Sequence, residues 1–139
     1  MAAITAIADA WAPRVLSVLR IVSALLFMEH GANKMFNFPE RGPHAPYELL
    51  TLNPGLSGLL EVVGGLLLLF GLFTRPVAFI LSGQMAVAYW WIHAPQSPYP
   101  YVNGGDAAIL FCFVFLYLAC VGGGPWSLDA LMRRRRPAD

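Results

Sequence analysis

Four apolar runs set what this chain can fold into. They lie at about 14–35, 55–73, 76–94 and 106–122, and each approaches the roughly 20 residues that a helix needs to cross the hydrocarbon layer of a bilayer. The composition agrees. Of the 139 residues 58% are hydrophobic and only 12% charged, against about 25% charged in an ordinary soluble domain. The expected fold is all-α: one integral membrane domain over 1–139, a multi-pass four-helix transmembrane bundle. The N-terminal stretch "MAAITAIADAWAPRVLSVLR" is read as retained in the protein. No positive side chain precedes its apolar part, and Asp9 and a helix-starting Pro13 come early.

The links between the runs suggest how they connect. Between the first two lies "NFPERGPHAPYELLTLNP", too polar to span. The second and third are separated by "TR", Thr74 and Arg75, closed by Pro76, which suits the first turn of a helix because it needs no amide donor there. They should form an antiparallel hairpin. "PQSPYPYVNGG" joins the third and fourth runs. After the fourth, "GGGPW" ends the helix, and "SLDALMRRRR" starts a short C-terminal interfacial helix capped by Ser127. Trp126 and the basic run then sit at the headgroups. Near the span ends one side holds seven basic residues, Arg14, Arg20, Arg75 and Arg133 to Arg136, and the other holds two, Lys34 and Arg41. Both termini are therefore expected to be cytoplasmic. A net charge of +1 suggests no nucleic-acid partner. Cys112 and Cys120 lie about 12 Å apart along a helix, too far for a disulfide.

Helix rise converts residue number into depth. At about 1.5 Å per residue, Glu29 and His30 lie about 24 Å along the first span of a core roughly 30 Å thick. Glu61 descends about 9 Å from the outer end of the second span, to much the same level. His93 and Trp90 mark the outer end of the third span, and Asn103 and Asp106 the outer start of the fourth. The candidate polar pocket is thus Glu29, His30, Lys34, Glu61, His93, Asn103 and Asp106, with Tyr89, Trp90 and Trp91 as an aromatic wall. Ionisable groups in hydrocarbon are expensive and are usually turned inward and paired. Gly58, Glu61 and Gly65 recur at i, i+3 and i+7, so Glu61 shares a face with small residues and should point toward His30 and Lys34. The structural alternative is that His93 and the Trp pair anchor the chain at the interface, and that Asn103 and Asp106 cap the fourth span. Arg20 lies in an inner layer with Gln84 and Tyr117. It either snorkels to the headgroups or joins those two residues.

"HGANK" (30–34), "EVVGGLLLLFGLFTRP" (61–76), "NGGDAAIL" (103–110) and the closing "GGGPWSLDALM", in this order and at these intervals, resemble the DoxX family of small four-helix membrane proteins. The resemblance runs from about Arg14 to Leu131 and implies a bacterial-type plasma (inner) membrane. Asp106 departs from it, standing where many members have a glutamate. The family resemblance implies an association with membrane oxidoreductase systems, among them subunits of archaeal thiosulfate:quinone oxidoreductase and a bacterial membrane complex linked to redox homeostasis.

Two function classes follow. In the first, the chain is a redox-associated subunit with a quinone-type site in the outward polar layer. His30 and Lys34 can donate to the carbonyl oxygens of a quinone, and Glu61 and Asp106 can relay protons. The sequence offers no haem-type His pair, no cysteine cluster and no dinucleotide fingerprint. Electrons would therefore come from a soluble or membrane oxidoreductase partner, and the chain is not expected to be a complete enzyme. In the second class the polar layer is structural and the protein is a membrane scaffold. A conduit is disfavoured by the sparse inner half. No metal site is expected, since the paired Glu-x-x-His motifs of bundle di-metal sites are lacking. Glycine-rich span faces are compatible with a homo-oligomer.

Overall fold

A computed structural model describes residues 1–39 and 47–135. Arg41 and Arg136, which enter the charge count above, lie outside the described residues. Within them the elements are helical and no strand occurs: α1 (Ala2–Phe36), α2 (Ser57–Phe70), α3 (Thr74–Ala88), α4 (Pro100–Asn103), α5 (Asp106–Val121) and α6 (Leu128–Arg135). Wide turns, Leu52–Leu56 and Tyr89–His93, lead into α2 and out of α3.

Two helical stretches, Ile4–Phe36 and Leu52–Phe70, are long and apolar enough to cross a membrane, and Asp106–Val121 is a shorter apolar helix. Only 28% and 33% of the most apolar windows of the two long stretches are buried. The core helix of a soluble protein would be mostly covered. Here residues such as Val22, Leu26, Val63 and Phe70 face outward.

α1 starts well before the expected 14, and Pro13 lies inside it rather than at its start. The alanine-rich segment before Pro13 is a strong helix former, and proline removes only one backbone bond. Arg14 Nη1 donates to the Ala10 carbonyl at 2.7 Å, in the turn just before the proline. The 35-residue helix is about 52 Å long, well beyond a core of roughly 30 Å.

α1 packs along α2, α3 packs along α5, and the α2–α3 hairpin joins the pairs. Gly31 brings the first pair into backbone contact: a Cβ there would lie 2.8 Å from Glu61 Cβ and 2.9 Å from Val62 N. Phe27 and Phe115 meet edge-on at 4.9 Å and help close a core that includes Ala24, Leu68, Leu81 and Leu118. Cys112 and Cys120 are free thiols.

The hairpin link is Gly71–Phe73, not Thr74–Arg75, which lie in the first turn of α3. The cause is long-range. Asp129 of α6 accepts from Phe73 N and Thr74 N, each at 2.8 Å, and so caps α3 from a distant helix. Asp129 N in turn donates to the Gly71 carbonyl at 3.0 Å. α6 is therefore docked on the hairpin, with Ala130 buried. Its own start is capped by Ser127 Oγ, which accepts from Ala130 N at 3.2 Å. Asp129→Ala is expected to lower stability by about 1–2 kcal/mol, within the range for a lost cap. Thermal unfolding in detergent measures it, and an unchanged midpoint would exclude the capping role.

Arg20 neither snorkels nor meets Gln84 and Tyr117. It is fully buried, at 0% exposure, inside a cage of carbonyl oxygens. Nε donates to Gly123 at 2.9 Å, Nη2 to Trp126 at 2.6 Å, and Nη1 to Leu69 at 2.6 Å and also to Leu68. Leu68 and Leu69 lie at the C-terminal end of α2, where the helix dipole favours a cation; the Leu68 carbonyl also accepts from Gly71 N at 3.0 Å. Gly123 and Trp126 belong to the "GGGPW" turn. A Cβ on Gly71 would stand 3.0 Å from Arg20 Cζ, and one on Gly124 would stand 2.4 Å from Ser17 Oγ. That turn is held close to α1 from a second point, Trp126 N donating to Ser17 Oγ at 3.2 Å. Tyr117 faces outward.

Candidate functional site

At the other end of the packed helices, side chains from α1, α2 and α3 converge on one carboxylate. Glu61 is 1% exposed. Lys34 Nζ approaches Glu61 Oε1 at 2.6 Å, and Gln84 Nε2 donates to the same oxygen at 3.2 Å. Lys34 also donates to Ser57 Oγ at 3.3 Å, and Gln84 to the Ser57 carbonyl at 3.3 Å. Ser57 Oγ donates to Asn53 Oδ1 at 2.9 Å. Spacing explains the assembly: Ser57 and Glu61 are four apart on α2 and share a face, and Gly58 lets Lys34 lie close against that face.

This cluster borders a cavity of about 750 Å³ between α1, α2, α3 and α5. The volume falls in the range of small-molecule sites, roughly 300–1,000 Å³. The wall is mainly apolar, with Phe27, Leu60, Met85, Phe111 and Trp91, while His30, Lys34, Glu61, Gln84 and His93 supply polar groups. The His30 ring stands edge-on to Phe111 at 6.0 Å.

Of the candidate pocket residues, His30, Lys34, Glu61 and His93 line the cavity and Glu29, Asn103 and Asp106 do not. Glu29 and Asp106 are exposed. Lys34, rather than His30, pairs with Glu61. Asn103 is buried but builds the turn above the cavity: Nδ2 donates to Ser97 O at 2.7 Å and Oδ1 accepts from Gly105 N at 2.8 Å. The Asn103 carbonyl lies 2.9 Å from His93 Nδ1, which orients that ring. Of the aromatic wall only Trp91 borders the cavity. Tyr89 packs against Trp90 at 5.3 Å, and a Cβ on Gly105 would meet its ring at 2.7 Å.

Gln84 is a correction to the inner layer. On rise alone its backbone lies about 6 Å deeper than that of Glu61. Two long side chains close that gap, which an estimate based on backbone depth overlooks. Ser57 and Asn53 were also missed, although the i, i+4 relation of Ser57 to Glu61 was a readable signal. Phe111 carried none beyond an apolar run.

The chain is similar to known proteins along most of its length. The DoxX family model matches residues 15–94, more than half of the chain, including His30, Lys34, Glu61, Gln84 and His93. An uncharacterized protein of Haemophilus influenzae is 39% identical over 127 residues, covering 87% of this chain and 92% of that protein. A second uncharacterized protein of the same organism is 29% identical over 130 residues, covering 88% of this chain and 85% of that protein. No solved structure matches significantly.

Proposed function

The chain belongs to the DoxX family of membrane proteins, and on that premise we propose that it is a multi-pass, four-helix subunit of a bacterial-type inner membrane. It works with an oxidoreductase partner and holds a quinone-type ligand in the cavity described above. One observation carries the reading: an apolar-walled cavity of about 750 Å³ whose polar side is the buried Glu61 carboxylate held by Lys34 and Gln84. A lipid-soluble ring fits such walls, and a polar head needs such a cluster. Both termini face the cytoplasm in this reading, which puts the basic α6 at the anionic inner surface.

A quinone-type ligand supplies the capacity to take up and release electrons together with protons. The chain's residues hold its head and exclude water around it. Lys34 and His30 offer donors, and Glu61 offers a carboxylate where a proton can rest. Burial of an ion pair among four helices is a costly way merely to set register.

The alternative is a non-catalytic scaffold or assembly protein, favoured by the Arg20 cage, a buried cation spent wholly on backbone. Protein extracted from its native membranes separates the two. A lipid-soluble quinone-type ligand, in either redox form, and an oxidoreductase should be retained together after purification. Protein that retains neither, although folded, would favour the scaffold. Glu61→Gln, close in shape to the native side chain, should keep the fold and lose the retained ligand.

A further inference from the structure

Open hydrogen-bonding capacity at the cavity is mostly of one sign. Glu61 Oε2 and Gln84 Oε1 are buried side-chain oxygens that no protein donor reaches, and both residues line the cavity. The remaining such atom among the described residues, Thr74 Oγ1, lies at the far end of the molecule beside Gly123. Most donors nearby are taken. Gln84 Nε2 serves Ser57 O and Glu61 Oε1 with both its hydrogens, and Lys34 Nζ serves Glu61 Oε1 and Ser57 Oγ with two of its three. His30 can act as donor or acceptor and so does not discriminate. Two oxygens thus stand without donors, against one open hydrogen on Lys34.

We propose that this cavity selects a ligand whose apolar body ends in a pair of hydroxyl donors, one for Glu61 Oε2 and one for Gln84 Oε1. Built on the quinone-type reading above, the ligand is the hydroquinone form, not the quinone. A quinone head offers only acceptors. One of its oxygens could accept the third Lys34 hydrogen, but Glu61 Oε2 and Gln84 Oε1 would stay without donors, which is how buried polar groups disfavour a ligand that lacks their partner. A glycerol head on a single acyl chain carries the same pair of hydroxyls and is the other source of this chemistry.

The test uses the full chain in lipid nanodiscs, titrated calorimetrically without oxygen. Its four probes are a short-chain hydroquinone, the matching quinone, the dimethyl ether of that hydroquinone and a monoacylglycerol. The hydroquinone is expected to bind at least about tenfold more tightly than the quinone and the ether. Glu61→Gln, which places an amide donor at the site, should narrow the gap between hydroquinone and quinone. Quinone and ether binding as tightly as hydroquinone would overturn donor selection while leaving a quinone-type site standing. Monoacylglycerol binding with no quinonoid binding would support donor selection and overturn the quinone-type reading. If none of the four binds, both fail. The comparison of probes on the unaltered protein decides the matter even where the variant does not fold.

Discussion

Arg20→Ala is expected to cost about 3–5 kcal/mol, the scale for breaking a buried, fully bonded charge site. The guanidinium donates to four carbonyls contributed by α2 and by the turn after α5, and hydrogen bonds from charged groups contribute about 1.5–3 kcal/mol each. The truncation leaves a void and takes a charged donor from four carbonyls, of which Leu68 keeps only the bond from Gly71 N. It also releases the "GGGPW" turn, so α6 loses its seat and Asp129 its hold on α3. Arg20→Lys should rescue little, because a compact ammonium lacks the planar fork that reaches carbonyls on opposite sides. Thermal unfolding of detergent-purified protein, read by tryptophan fluorescence and by size-exclusion profile, is the measurement. Arg14→Ala is the control, since its contact with Ala10 is exposed. If Arg20→Ala unfolds at the same temperature as Arg14→Ala, the cage does not hold the fold together.

The second large effect is a reversal. Lys34→Leu alone should destabilise by about 3–5 kcal/mol, because it strands a carboxylate that is 2% exposed in surroundings that cannot solvate it. Lys34→Leu combined with Glu61→Leu should recover most of that loss, since a buried ion pair replaced by apolar side chains is often neutral or stabilising. Comparing unfolding midpoints of the single and double variants gives the coupling directly. A double variant that is stable yet retains no quinone would assign the pair to ligand binding. One less stable than Lys34→Leu alone would mean that the carboxylate supports the fold through partners other than Lys34.

Much of the candidate site was legible before any coordinates, for reasons that are local. Lys34 and Glu61 stood out because charges inside apolar runs need partners, and the glycine spacing around Glu61 pointed it inward. The same reasoning erred on Glu29 and Asp106. Depth along a helix says nothing about rotation around it, and both side chains face out of the packed helices. It erred on Gln84 because side-chain length was left out. The aromatic stretch shows the same division: three neighbouring residues shared one assignment, yet a wide turn at Tyr89–His93 directs only Trp91 to the cavity.

Helical class and the capping of α6 by Ser127 were determined by the sequence alone. Each depends on hydrophobic run length, spacing and turn residues within a few positions of one another. The fate of Arg20, the position of the hairpin link and the membership of the cavity wall were decided by tertiary structure. Arg20 finds acceptors 48 to 106 residues away, and Asp129 caps a helix 55 and 56 residues before it. Such partners depend on how helices rotate and where a distant turn comes to rest, and no local pattern encodes either.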